Sequence, residues 1–190
     1  MERILIATIV IATAALGAWW RLRSPSAVPA TRRAGDSVAT VYRTMRGRVL
    51  ESKPAEIGLD GFAGLEEAWA AVMEMGMNHG ATVTVASLVD GSASIYTSTG
   101  GGFIGGGSKP AIRDAAVAFV SAAREVQPTL TASDDVALPR PGETVFYIRK
   151  GSQRYRAATA TADLESGPHP LAPLWIAAQN VITQYRLDSE

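Results

Sequence analysis

Two runs of strand-forming residues meet at a tight turn and constrain this chain more than any other feature. Ala81 to Leu88 (ATVTVASL) and Ser92 to Ser98 (SASIYTS) flank Val89-Asp90-Gly91. Threonine, valine, isoleucine and tyrosine suit a pleated surface, and Asp-Gly supplies the positive φ that a tight hairpin needs. A two-residue turn at Asp90-Gly91 sets Val85 opposite Tyr96 and Ala86 opposite Ile95. Both faces of such a hairpin carry apolar residues, so helices are expected to cover both sides of the sheet at least in part.

The remaining elements follow from periodicity. Residues 37–50 predict a helix with Val38, Val41, Tyr42, Met45 and Val49 on one side, ended by Pro54. Leu59-Asp60-Gly61 reads as a turn into a second helix, because Leu65, Ala68, Trp69 and Val72 recur at three and four residues while Glu66, Glu67 and Glu74 lie off that stripe. A third stripe runs through Ile112, Ala116, Phe119, Val120 and Ala123. After a long polar connection from Pro128 to Pro141, Thr144 to Arg149 and Tyr155 to Thr161 predict a second hairpin. A last helix starts near Pro170 and buries Leu174, Ala178, Val181, Ile182 and Tyr185. Strands arrive in pairs rather than singly between helices, which argues against a doubly wound dinucleotide fold. The expected fold class is therefore α/β (α+β): an antiparallel sheet from two hairpins with helices packed on it.

The N-terminus adds a separate expectation. Residues 4–20 (ILIATIVIATAALGAWW) hold 17 positions without a charge, closed by Trp19 and Trp20 and followed by Arg21 and Arg23. This pattern predicts one N-terminal transmembrane helix at the short end of spanning length. A cleaved secretory signal peptide is the competing reading, although its basic leading region is nearly missing. Residues 21–36 read as a basic flexible linker and 37–190 as a single domain. With four arginines after the apolar run, the positive-inside tendency places that domain on the cytoplasmic side of a cell membrane, with the lipid bilayer as partner through residues 4–20.

Charge and composition exclude several classes. The chain carries 18 basic and 18 acidic side chains; five basic and two acidic ones precede residue 37, leaving 13 and 16 in the domain. A domain with that acidic excess lacks the general attraction to phosphate backbones, so no nucleic acid partner is expected. Cysteine is absent, which removes disulfides, thiolate nucleophiles and cysteine-based metal sites.

The most unusual segment is the glycine-rich loop between the first hairpin and the third stripe, TGGGFIGGGSKP. Six glycines in eight positions carry a large backbone-entropy cost. The loop enters a helix at Pro110 with Ser108 as a cap candidate, so Gly105, Gly106, Gly107, Ser108 and Lys109 form a candidate anion or ligand site. Gly-Ser-Lys is not the order a P-loop requires. In the structural alternative, Phe103 and Ile104 plug an apolar groove or contact a partner.

Candidates for chemistry are few. His79 and His169 stand beside turn residues, and Asp134-Asp135 lies in the long connection; surface or capping roles suit them better than acid–base work. Met73, Met75 and Met77 suit core or interface gaps. Tyr147, Tyr155 and Arg149 are candidates for a sheet face used by a second copy. No catalytic residue, metal ligand set or cofactor is nominated.

The element order across Phe62 to Leu187 resembles the roadblock/longin branch of profilin-like domains, small mixed domains that dimerise and act as scaffolds or regulators. The stretch GATVTVASLVDGSASIYTSTGGGFIGGG also resembles one found in uncharacterised bacterial membrane-anchored proteins. The resemblance implies a homodimer or another protein as partner and contributes no catalytic position. Together these readings predict a membrane-tethered, non-enzymatic interaction or scaffold domain. The alternative is an anion- or nucleotide-binding regulatory domain using Gly100 to Lys109.

Overall fold

The computed structural model describes residues 37–189. The chain opens with α1 (Val38–Glu51), started by Ser37, whose hydroxyl accepts from the Thr40 amide at 3.2 Å. A short 3-10 turn at Pro54–Ile57 leads on to β1 (Ala68–Gly76), β2 (Thr82–Leu88), β3 (Ala93–Thr97) and β4 (Gly102–Ile104). Then come α2 (Pro110–Val126), β5 (Glu143–Lys150), β6 (Gln153–Ala160), α3 (Thr161–Ser166) and α4 (Ala172–Asp188). The six strands form one antiparallel sheet in the order β4-β3-β2-β1-β5-β6.

The sheet separates two cores. On one face, α2 and α4 pack over Met73, Met75, Val85, Ile95, Phe146 and Ile148, with Phe119 and Trp175 fully enclosed. On the other, α1 lies over Val72, Ala86, Tyr96, Val145 and Tyr147. The segment 130–140 straps the β5–β6 end of that second face: Ala132 bridges Tyr155, and the Ser133 amide donates to the Arg154 carbonyl at 2.8 Å.

Two predicted details change. The region read as a second helix is β1, the central strand. Every residue of β1 is buried because helices cover both faces, so its hydrophobicity does not alternate and the three-and-four spacing of Leu65, Ala68, Trp69 and Val72 is accidental. The register also moves by one: Val85 faces Ile95, and Thr84 faces Tyr96. The turn is a three-residue loop in which the Leu88 amide donates to the Ser92 carbonyl and Gly91 takes φ 83°.

The expectation of a single-pass, membrane-tethered protein is corrected as well. Among the described residues no helix is long and apolar enough to cross a membrane. The longest, α2 and α4, have 17 residues each and bury one apolar side against the sheet. Fold class, bilayer partner and cell-membrane location therefore reduce to a mixed α/β domain with a six-stranded sheet and no membrane-spanning helix in that region. The predicted anchor at 4–20 and linker at 21–36 lie outside the described residues.

Candidate functional site

The α1 face of the sheet is organised around a buried ion pair. Glu74 projects from the central strand with no solvent exposure, and Arg46 of α1 donates to both of its oxygens, Nε to Oε1 at 2.7 Å and Nη2 to Oε2 at 2.8 Å. The same guanidinium donates to the Tyr147 hydroxyl at 3.1 Å, which donates onward to the Ala137 carbonyl of the strap at 2.9 Å. Thr84 donates to Glu74 at 3.3 Å and meets the Tyr42 hydroxyl at 3.0 Å. Central strand, helix and strap are thus joined through one carboxylate.

Burial and that charge set the ionisation of the neighbours. Tyr42 is pushed up to about 12, first by desolvation and then by Glu74. Tyr96 and Tyr147 rise for the same two reasons. Burial alone would lower Arg46, but the hydrogen bonds and charge of Glu74 more than reverse it, so the guanidinium stands above its ordinary value.

A second clamp holds the far end of α1. Arg149 and Arg154 both donate to the Leu50 carbonyl, Arg154 at 2.9 Å, and Arg149 reaches the Ser52 carbonyl at 3.1 Å. Arg149 also lies 5.1 Å from the Trp69 ring centre. Burial, then the neighbouring Arg154, lowers the Arg149 pKa. Cations at a helix C-terminus meet its unsatisfied carbonyls, so this pair anchors the helix. Tyr147 and Arg149 lie under α1 and the strap; they are not a free face for a second copy.

The glycine-rich segment is the opposite edge of the sheet. Gly102, Phe103 and Ile104 form β4 against β3. The Thr97 amide donates to Gly101, and the Gly105 amide donates to Ala93. Antiparallel alternation then turns the amide and carbonyl of Phe103 toward β3 and those of Gly102 and Ile104 outward. Phe103 stacks on Tyr185 of α4 with centroids 5.5 Å apart, while Ile104 is 59% exposed on the α1 face.

The remaining candidate residues fold back on the domain. The buried Gly106 amide donates to the Tyr185 hydroxyl at 3.1 Å, and Gly107 packs on the Gly91–Ser92 backbone. Lys109 occupies the N-cap position expected for Ser108, without a side-chain cap bond, and its ammonium lies 3.2 Å from Asp188. Gly105 and Ser108 are exposed. The five residues are near one another, but the Gly106 amide and the Lys109 charge already have partners within the chain.

Beside β4 lies a groove of about 260 Å³ between α1 and β3. Its walls are Met45, Val49, Ile57, Leu88, Tyr96 and Ile104, and among the described residues Arg48 is the one charged side chain lining it. The Tyr96 hydroxyl is buried and has no hydrogen-bond partner among the described residues.

Other sequence candidates take structural roles. His169 accepts from the Leu171 amide at 3.1 Å and so ties down the start of α4. Asp134 and Asp135 pair with Arg154 and Arg156 along the strap at 3.8 and 3.4 Å, and His79 is exposed in the β1–β2 turn. Among the described residues no three potential ligands gather as a metal site. The Arg46–Glu74 pair is not legible in the sequence, where the three-and-four spacing puts Glu74 on the outside of a helix. A single acid between Met73 and Met75 in an otherwise uncharged run was the available signal. Comparison with protein families, characterised proteins and solved structures returns no match.

Proposed function

We propose that this domain is a protein-interaction module that accepts an extended segment of a partner at the outer edge of β4. The observation that carries the reading is the pair of outward-facing backbone units at Gly102 and Ile104. No described strand lies beyond them, and an exposed isoleucine stands beside them. Adding a strand to such an edge supplies main-chain hydrogen bonds, with side-chain contacts deciding which segment fits. The other edge, β6, is partly occupied by the strap at Ala132 and Ser133.

Charge favours a different chain over a second copy. Among the described residues Arg48 is the single charge lining the groove, so two copies meeting here would approach with like charges, whereas an acidic segment would be attracted.

The test is titration of the full chain with acetylated and amidated heptapeptides of alternating valine and threonine, followed through backbone amide resonances. The amides of Gly102 and Ile104 are expected to move more than that of Phe103. Ile104→Pro should abolish the effect without removing a β3–β4 bond, because the Ile104 amide faces outward. Binding that leaves Gly102 and Ile104 unshifted, or that survives Ile104→Pro, overturns the reading.

A further inference from the structure

We infer that the groove beside β4 is a side-chain pocket that selects, in the added segment, one large unbranched or γ-branched apolar residue with an acidic one two positions away. The inference rests on strand addition at β4. Gly102 and Ile104 pair with Tyr96 and Ser94, so all four share the α1 face of the sheet. Residues of an incoming strand that lie opposite Gly102 or Ile104 therefore point toward α1 as well.

Gly102 lets β4 lie close against β3. A Cβ at this position would stand 2.2 Å from the Ile95 carbonyl oxygen and 2.7 Å from Tyr96 Cα, so no larger residue fits without moving β3. Ile104, two residues on, lines the groove and stands exposed at its β4 side.

The lining defines the occupant's chemistry. Met45, Val49, Leu88 and Ile104 offer apolar contact from the helix and the sheet, with Tyr96 as an aromatic wall. The volume of about 260 Å³ suits one leucine, methionine or phenylalanine side chain rather than a drug-sized ligand. Arg48 is exposed and, among the described residues, no carboxylate lines the groove, so an acidic residue two positions along meets a cation there. Met45 can adjust to different apolar shapes, because an unbranched thioether has several accessible rotamers.

Fluorescein-labelled heptapeptides of the valine–threonine host, with leucine or alanine at the central position and aspartate or lysine two positions from it, on the same strand face, test the pocket by anisotropy with the full chain. The leucine–aspartate peptide should bind about tenfold or more tightly than the alanine–aspartate one, the difference expected from burying a leucine side chain. Arg48→Glu should reverse the order of the aspartate and lysine peptides. Ser94→Phe, which fills the groove from a half-buried position, should erase the leucine preference while the Gly102 and Ile104 amides still respond.

Equal affinity for leucine and alanine overturns the pocket and leaves strand addition standing, and so does a leucine preference that persists in Ser94→Phe. Absence of binding by every peptide overturns strand addition and the pocket with it.

Discussion

Arg46 and Glu74 form a two-point ion pair beneath α1, with Nε and Nη2 at 2.7 and 2.8 Å from the two carboxylate oxygens, and Glu74 has no exposure to water. Removing one partner strands a charge in the core, so Arg46→Met is expected to cost about 3–5 kcal/mol of unfolding free energy. Replacing both, as Arg46→Met with Glu74→Leu, should recover most of that loss. Urea unfolding of both variants beside the unaltered chain checks this. A double variant as unstable as the single one would show that the pair contributes more than mutual neutralisation.

Alkaline stability should follow the buried tyrosines. Tyr42 and Tyr185 are both raised to about 12 by burial, whereas an unfolded tyrosine titrates near about 10. Between these values the unfolded chain has released protons that the folded chain still holds, so stability falls as pH rises. The contribution is complete below about pH 10 and is lost as pH climbs toward 12. Unfolding midpoints measured from pH 8 to 12 should drop over the upper half of that range, and Tyr185→Phe should shrink the drop.

The glycines of the β4 region are expected to respond unequally. Gly105 has open space at its Cβ position but φ 76°, so Gly105→Ala should cost only the backbone penalty of about 1 kcal/mol. Gly102→Ala drives a methyl into backbone at 2.2 Å, and Gly106→Ala meets the Tyr185 hydroxyl at 2.3 Å. Each of these should cost more, about 1–3 kcal/mol for the overpacking alone. Comparable losses at all three positions, measured by thermal unfolding, would contradict the packing described for this edge.

His169 should matter to stability and not to binding at β4. Its Nδ1 accepts from the Leu171 amide at the start of α4, so His169→Ala leaves that amide unsatisfied and should cost about 1 kcal/mol. Peptide affinity should be unchanged, since His169 does not line the β4 groove.

How far the chain could be read depended on how each element is buried. The β2–β3 hairpin was legible because Asp90 and Gly91 have few alternatives at a turn, and α2 and α4 were legible because each buries one stripe against the sheet. The strand β1 was not. A strand covered on both faces is apolar throughout, and with Glu74 taken for a solvent-facing residue nothing local opposed a helix. The candidate surface was half legible: glycine composition singled out 100–107, and Ile104 was named as a contact residue. Yet nothing in the order of residues told that Gly102 to Ile104 would close the sheet as its edge.

Local chain chemistry by itself determined the existence of the β2–β3 and β5–β6 hairpins and the buried stripes of α2 and α4, because each depends on residues a few positions apart. Tertiary structure alone decided that Glu74 meets Arg46 across 28 positions, and that Tyr185 meets Gly106 across 79. It also decided that Tyr96 and Ile104 share a groove with Met45. Such relationships arise when the sheet orders its strands and helices close on its faces, and a linear pattern does not encode the distance between its distant parts.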